Sequence, residues 1–139
     1  MAVRFATDDW CSALVEEING SSEYRNAAAK WGVGFNGNIL FDFEPDAGLA
    51  RPVRLLLQLE GGRCDGATLV DGEQHADAGF VLRAPFSLWK EILERRTLAA
   101  TAILTGKLKV DGVKMTLLKH TAANRALVHC TASVDTDFS

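Results

Sequence analysis

The chain has 139 residues and a formal net charge of −3, with 47% hydrophobic and 24% charged residues. This composition excludes a disordered chain and is typical of one folded domain with a single core. The acidic balance argues against nucleic acid as a partner, because contact with phosphates needs an excess of basic residues. The sequence contains no apolar run long enough for a membrane helix, and residues 1–7 lack the pattern of a secretory signal.

The three cysteines are Cys11, Cys64 and Cys130, and no pair of them has CxxC spacing. An odd count without paired spacing argues against a disulfide framework and favours reduced thiols in the cytoplasm. We therefore expect a cytoplasmic protein with one domain over residues 1–139, of which residues 131–139 form a loose tail.

The N-terminal region predicts two helices. Thr7 is placed as the N-cap of the first, which ends at Asn19-Gly20. The second is predicted from Ser22 to Trp31, with Gly32 as its C-cap.

Hydrophobic residues then alternate with polar ones, which indicates strands. One long half-buried strand is predicted over residues 33–43, with the odd-numbered residues in the core and Asn38 and Asp42 in solvent. A second alternating run over residues 53–60 ends at a hairpin loop, Gly61-Gly62. That loop predicts pairing of residues 59, 57, 55 and 53 with residues 64, 66, 68 and 70. A turn at Asp71-Gly72 precedes a fourth strand that stops at Pro85.

The C-terminal half returns to helical spacing. A helix carries Leu88, Trp89, Ile92 and Leu93, and a shorter one runs from a Thr97 cap to Leu104. A short strand over residues 107–110 precedes a last helix over residues 113–130. The element order predicts a two-layer α+β domain, because the buried face of an antiparallel sheet must be covered by the helices.

Sequence motifs for chemistry are weak. The GxGxxG pattern over residues 32–37 follows a helix and opens a strand, the reverse of a dinucleotide-binding turn. His120 and His129 fall on opposite faces of one predicted helix, and His75 lies in a polar turn, so no metal site is expected. No activated nucleophile is recognisable. We therefore expect no enzyme activity, no catalytic residue, no cofactor and no metal.

Two basic groups remain, Lys90, Arg95 and Arg96 in one and Lys107, Lys109 and Lys114 in the other. One interpretation is that they are solvent-facing residues of amphipathic elements. The other is that they form a cationic mouth that meets an anionic lipid head group or a membrane surface.

From Phe80 to Met115 the chain resembles the sterol carrier protein 2-like family. The resemblance lies in Phe80-Val81-Leu82, the segment Phe86 to Arg95, and Leu104-Thr105-Gly106-Lys107-Leu108-Lys109-Val110-Asp111-Gly112. Trp10, the segment Tyr24 to Ala28, and Trp31 are similar to bacterial members. The resemblance covers about residues 5 to 130 and indicates a stand-alone domain.

The resemblance implies a five-stranded, mostly antiparallel sheet with helices on one face and an apolar tunnel between the two layers. It implies that the segments 89–93, 98–104 and 115–118 line the tunnel, the last as a movable lid. The candidate ligand-binding residues are Phe80, Leu82, Trp89, Ile92, Leu93, Leu98, Ile103, Leu104, Met115 and Leu118.

The expected function is non-catalytic binding and transfer of a lipid, whether fatty acid, fatty acyl-CoA, sterol or phospholipid, or of another apolar small molecule. The partners considered are a membrane surface in transient contact, a second copy of the chain, and a partner enzyme. One alternative is an accessory or regulatory subunit that docks an enzyme of lipid or steroid metabolism. Another is a small enzyme acting on an acyl or steroid substrate.

Overall fold

The computed structural model describes residues 2–70 and 78–138. The helices are α1 (Asp8–Asn19), α2 (Ser22–Ala27), α3 (Phe86–Leu93), α4 (Ala99–Leu104), α5 (Lys114–Lys119) and α6 (Thr121–Ser133). The strands are β1 (Val3–Arg4), β2 (Ile39–Glu44), β3 (Val53–Glu60), β4 (Arg63–Leu69), β5 (Phe80–Pro85), β6 (Lys109–Asp111) and β7 (Thr136–Asp137). The predicted turn at Asp71-Gly72 and His75 lie outside the described residues.

Five strands form one sheet in the order β4-β3-β2-β5-β6. The central strands β2 and β5 run parallel, and the other three pairings are antiparallel. The helices pack on one face of the sheet and share one apolar core with it. The predicted two-layer α+β fold with a five-stranded, mostly antiparallel sheet is therefore confirmed.

The first strand of this sheet is shorter than predicted, because it begins at Ile39 and not at residue 33. Gly32 and Gly34 have φ angles of 78° and 84°, a backbone conformation that a strand cannot contain. The indole Nε1 of Trp31 donates a 2.9 Å hydrogen bond to the Gly37 carbonyl and closes this glycine-rich loop. The alternation of apolar residues over 33–37 therefore does not correspond to a strand.

The alternation along β2 and β3 is confirmed at Ile39, Phe43, Leu55, Leu57 and Leu59, which are buried, whereas Phe41 and Val53 are half-buried. The expectation that the even-numbered residues are exposed is wrong at Leu40, Asp42 and Leu56, which are also buried. Asp42 lies directly between Arg54 and Arg83 on the neighbouring strands. Its carboxylate accepts a 3.0 Å hydrogen bond from Arg83 Nε, and Arg54 Nε lies 3.5 Å from the same oxygen. The central position of β2 thus allows a charged side chain to be buried outside the core face.

The β3–β4 hairpin turns at Gly61-Gly62, and Leu59 pairs with Cys64 as predicted. Beyond that pair the predicted register is wrong by one residue, since Gln58 pairs with Gly66 and Leu57 with Ala67. The register shifts at this point, in the form of a β-bulge. A one-residue insertion moves every later side chain to the other face of the sheet. Ala67 and Leu69, opposite Leu57 and Leu55, therefore lie on the core side, where Gly66 had been expected.

The predicted caps and helix ends are confirmed at the start of α1 but not at the end of α2 or the start of α4. Thr7 caps α1 as predicted, because its hydroxyl accepts a hydrogen bond from the backbone N–H of Trp10. Helix α2 ends at Ala27, four residues before the predicted end, and Thr97 does not cap α4, whose N-cap is Leu98. Helix α3 has no cap of its own; instead, Asp46 from the β2–β3 loop accepts a 2.7 Å hydrogen bond from Ser87 N.

The last predicted helix is divided in two at His120, where ψ changes to 41°. Leu117 and Ala126 are buried, whereas Met115 and Ala122 are exposed, although one continuous helix would place Met115, Ala122 and Ala126 on the same face. A change of direction between α5 and α6 breaks the continuous stripe, because residues on the two helices no longer share a face.

The predicted loose tail is instead packed against the domain. Val134 is buried, and β7 pairs in parallel with β1 near the N-terminus. The ring of Phe138 lies 5.2 Å from that of Phe5 and 5.8 Å from that of Phe86. Burial of these aromatic rings offsets the entropy lost by ordering the chain end.

Candidate functional site: an apolar cavity between sheet and helices

A cavity of about 70 Å³ lies between the sheet and the helices. Its floor is the core face of the sheet, formed by Ile39, Phe41, Phe43, Leu55, Leu57 and Leu82. Its walls come from α1, α3, α4, α5 and α6 and from the segment before β6, contributing Trp10, Leu14, Trp89, Ile92, Leu93, Ala99, Ile103, Leu108, Leu117, Asn124, Leu127, Val128 and Thr131. None of these described lining residues carries a charge.

Two lining residues are polar, and each donates a hydrogen bond to a backbone carbonyl of α5 or α6. Asn124 Nδ2 donates to the Leu117 carbonyl at 2.9 Å, and the Thr131 hydroxyl donates to the Leu127 carbonyl at 2.9 Å. Because these groups already have partners, the cavity offers an occupant mainly shape and apolar contact.

Two tryptophans in the wall are fixed by hydrogen bonds from their indole N–H groups. Trp89 Nε1 donates to the Asp42 carbonyl at 3.1 Å, and its ring lies 5.1 Å from that of Phe43. Trp10 Nε1 donates to the hydroxyl of Thr136 in β7 at 3.0 Å. Each indole keeps its polar edge satisfied while the rest of the ring faces the cavity. The packed C-terminus therefore helps to position the wall.

A groove of about 140 Å³ adjoins the cavity between the C-terminal end of α3, α4 and α6. Ile92, Ala99, Asn124 and Val128 line both spaces, so these four side chains separate the cavity from the groove. The outer end of the groove is basic, with Arg95, Arg125 and His129 in its lining.

We call this end of the groove, with Arg95, Arg125 and His129, the basic mouth. Its three basic side chains differ in their partners. His129 Nδ1 lies 3.1 Å from Glu23 Oε1. Arg95 and Arg125 are exposed and form no ion pair with the described residues. Arg95, between α3 and α4, has a φ angle of 63°, which lies in the left-handed region that is uncommon for residues other than glycine.

The structure brings five of the ten predicted tunnel residues together around the cavity: Leu82, Trp89, Ile92, Leu93 and Ile103. The others lie elsewhere. Leu98 lines the groove, Phe80 is buried against the ring of Trp31, and Leu118 is half-buried outside the cavity. Leu104 and Met115 are exposed. Ligand contact by any of the ten stays a prediction.

The sequence analysis assigns none of Trp10, Leu14, Val128 or the β2–β3 floor to a site. It places the odd-numbered residues of β2 and β3 in the core. The alternation does indicate which strand residues face the helices, so the floor could have been inferred from it. The contribution of α1 could not, because its position over the sheet depends on tertiary packing.

The three thiols lie in environments that disfavour the reactive thiolate. Cys11, Cys64 and Cys130 are buried and free. Burial raises the pKa of all three, and that of Cys64 to about 11, although a hydrogen bond with the Gly66 backbone opposes the rise. Within the described residues, no group of three or more His, Cys, Asp or Glu side chains is placed to hold a metal ion.

We expect all three thiols to react slowly with a disulfide reagent in the folded protein. With the pKa of Cys64 at about 11, roughly 0.1% of that thiol is ionised at about pH 8. Its reaction should therefore be at least about 100-fold slower than in urea-unfolded chain, and should accelerate as the pH rises towards that pKa. A rapid reaction of one thiol at neutral pH would contradict this and identify a candidate nucleophile.

The fold and cavity define a small α+β domain built around an internal apolar space. The family model of the SCP-2 sterol transfer family matches residues 8–123. The chain belongs to the SCP-2 sterol transfer family.

Solved structures agree with this assignment. A crystal structure of sterol carrier protein 2 is 32% identical, with a TM-score of 0.81 over 94% of this chain and 99% of that one. A Thermus thermophilus protein described as possibly a sterol carrier protein is 29% identical, with a TM-score of 0.83 over 100% of this chain and 96% of that one. The apo form of sterol carrier protein 2 from Yarrowia lipolytica, 17% identical with a TM-score of 0.58 over 92% of each chain, shares the fold. No curated protein sequence gives a match.

Across residues 2–70 and 78–138, no helix combines the length and the apolar character required to cross a membrane.

Proposed function

We propose that this protein binds and carries one lipid molecule in the cavity between its sheet and helices, without chemical change to it. The observation that carries the proposal is the lining, which is apolar apart from two side chains whose donors are already satisfied. An apolar enclosed site with few free polar groups suits an acyl chain or a ring system, and it offers little to a polar transition state.

The size of the cavity requires that it open to admit such a ligand. Its volume of about 70 Å³ equals the space of roughly two water molecules in the liquid, whereas ligand sites usually measure about 300–1,000 Å³. Helices α4 and α5 are six residues each and lack a side-chain N-cap hydrogen bond. Short uncapped helices depend on packing for their stability, so outward movement of α4 and α5 is the least costly way to enlarge the cavity.

The basic mouth supports a ligand with an anionic head group. Val128 and Ile92 separate the apolar cavity from a groove whose outer end holds Arg95 and Arg125. A chain threaded through this route would leave its carboxylate or phosphate beside the two guanidinium groups. We therefore favour a fatty acid or another anionic single-chain lipid over a sterol.

An amphiphile pair tests the role of the mouth. We expect a long-chain fatty acid to bind about tenfold more tightly than the alcohol of equal length, because charge-assisted hydrogen bonds add to the same apolar contact. The Arg95→Gln/Arg125→Gln double variant should lose that difference and keep its affinity for the alcohol within about twofold. The matched control is Lys30→Gln/Arg51→Gln, which removes two exposed charges elsewhere. Loss of alcohol binding in the mouth variant would contradict this route.

Native mass spectrometry of protein purified from cells tests the proposed function itself. A carrier should retain heterogeneous lipid mass that organic extraction removes. Empty protein that co-purifies with an enzyme would instead support the accessory-subunit alternative. The third possibility, a small enzyme, would require turnover of an acyl or steroid substrate. The buried thiols are protonated and therefore supply no nucleophile for such a reaction. The same spectra report whether the chain forms a dimer.

A further inference from the structure

The charge of the protein is unevenly distributed along the chain. Residues 104–119 contain four lysines and one aspartate, a local charge of +3 in a chain whose net charge is −3. The lysines, at positions 107, 109, 114 and 119, are all exposed and form no ion pair with the described residues. A concentration of one sign of charge in an oppositely charged protein attracts an anionic partner.

The same segment exposes large apolar side chains. Leu104, Val113 and Met115 are 71%, 63% and 62% exposed, which is unusual for residues of this type in a domain with a well-formed core. With Lys107 and Lys114, which are exposed on the same segment of the chain, they make up what we call the basic apolar patch. Isolated exposed apolar residues are ordinary, but three of them interleaved with lysines over twelve residues indicate an interaction surface.

The patch is the outer side of the cavity wall. Leu108 and Leu117 from the same segment, and Ile103 directly before it, line the cavity. Leu108 N donates a 3.0 Å hydrogen bond to the Ala102 carbonyl, which ties the segment before β6 back to α4. Each exposed residue of the patch is thus held within a few positions of a buried anchor.

We propose that the basic apolar patch docks the protein on the surface of an anionic lipid bilayer. Lysines within reach of head-group phosphates attract the protein, and the apolar side chains enter the interface between head groups and acyl chains. A folded protein partner fits less well, because a row of unpaired lysines between exposed apolar residues would require a matching row of acids. Docking here places α4 and α5 against the lipid. The inference goes beyond ligand binding and does not depend on it.

Vesicle co-sedimentation of the full chain tests the proposal. The probes are vesicles of one part phosphatidylglycerol to two parts phosphatidylcholine, and vesicles of phosphatidylcholine alone. We expect at least about tenfold stronger partitioning onto the anionic vesicles, weakened by added salt. Lys107→Glu/Lys114→Glu should lower that partitioning by at least about tenfold, and Leu104→Ser/Met115→Ser by about fivefold.

Matched controls separate the patch from general effects. Lys30→Glu/Arg51→Glu changes the net charge equally at exposed positions elsewhere, and Val33→Ser removes an exposed apolar side chain outside the patch. Both should bind anionic vesicles within about twofold of the unaltered protein. Equal losses in patch and control variants would overturn the proposal, as would failure of the unaltered protein to bind. That second result would leave a protein partner as the occupant.

A separate measurement distinguishes this proposal from the proposed function. Fatty acid binding measured without vesicles should be unchanged in Lys107→Glu/Lys114→Glu, because neither lysine lines the cavity or the groove. Vesicle binding without fatty acid binding would support the patch and contradict the carrier. The reverse result would contradict the patch alone.

Discussion

Replacing Val128 with Trp should abolish uptake of a fluorescent fatty acid, with affinity reduced by at least about tenfold. Val128 is half-buried on α6 and lines both the cavity and the groove, so a larger ring there thickens the wall between them and should block a ligand that passes from one to the other. Its partial exposure lets the added volume extend into the groove. The overpacking cost should therefore stay near the lower end of about 1–3 kcal/mol. Ligand titration and thermal unfolding of the same variant measure the two effects.

The matched control for this variant is Ala122→Trp. Ala122 lies on the same helix but is exposed and lines neither space, so uptake should be unchanged. Normal uptake by Val128→Trp with an unchanged melting temperature would show that the ligand does not pass between α4 and α6. A large fall in melting temperature, together with lost uptake, would return Val128 to an ordinary packing role.

Asp42→Asn should destabilise the fold by about 2–3 kcal/mol. The Asp42 side chain is 6% exposed and is the shared carboxylate of Arg54 and Arg83. Without its charge, two guanidinium groups on neighbouring strands face each other beside the sheet. The value is lower than for a fully buried pair, because the arginine side chains remain 23% and 41% exposed. Urea unfolding measures the difference directly.

Asp65→Asn is the control for Asp42. It also removes a carboxylate paired with an arginine, but both side chains of the Arg63–Asp65 pair are at least half exposed. We therefore expect a loss below about 1 kcal/mol. Equal losses for the two variants would mean that burial of Asp42 contributes nothing beyond an ordinary surface ion pair.

Local signals in the sequence were sufficient where one interaction decides the structure. The hydroxyl of Thr7 determines where α1 begins, and the glycine pair at residues 61–62 determines the β3–β4 turn. The resemblance that implied the family rests on the same kind of local pattern, read over consecutive residues. Each of these features depends on residues within a few positions of one another.

Predictions failed where a distant residue changes the outcome. Helix α3 is capped by Asp46, 41 residues away, and no local pattern at residues 85–87 contains that information. Asp42 stands at an even-numbered position of the alternating pattern, where a solvent-facing residue is expected. It is buried instead, beside arginines on the two neighbouring strands. The C-terminal residues were expected to be loose. Nothing in the sequence indicates that β7 pairs with β1 or that Phe138 packs against Phe5.

The sequence by itself determined the α+β class and the core face of β2 and β3, because period and capping are local properties of the chain. The resemblance over consecutive residues indicated the family. Only the tertiary structure decided which apolar residues surround an open space. Ile103 and Leu104 are adjacent and equally apolar, yet one lines the cavity and the other is 71% exposed. The orientation of the short helix α4 relative to the sheet determines which of the two side chains faces the cavity. It results from the summed packing of α4 against α6 and the sheet, which no local pattern encodes.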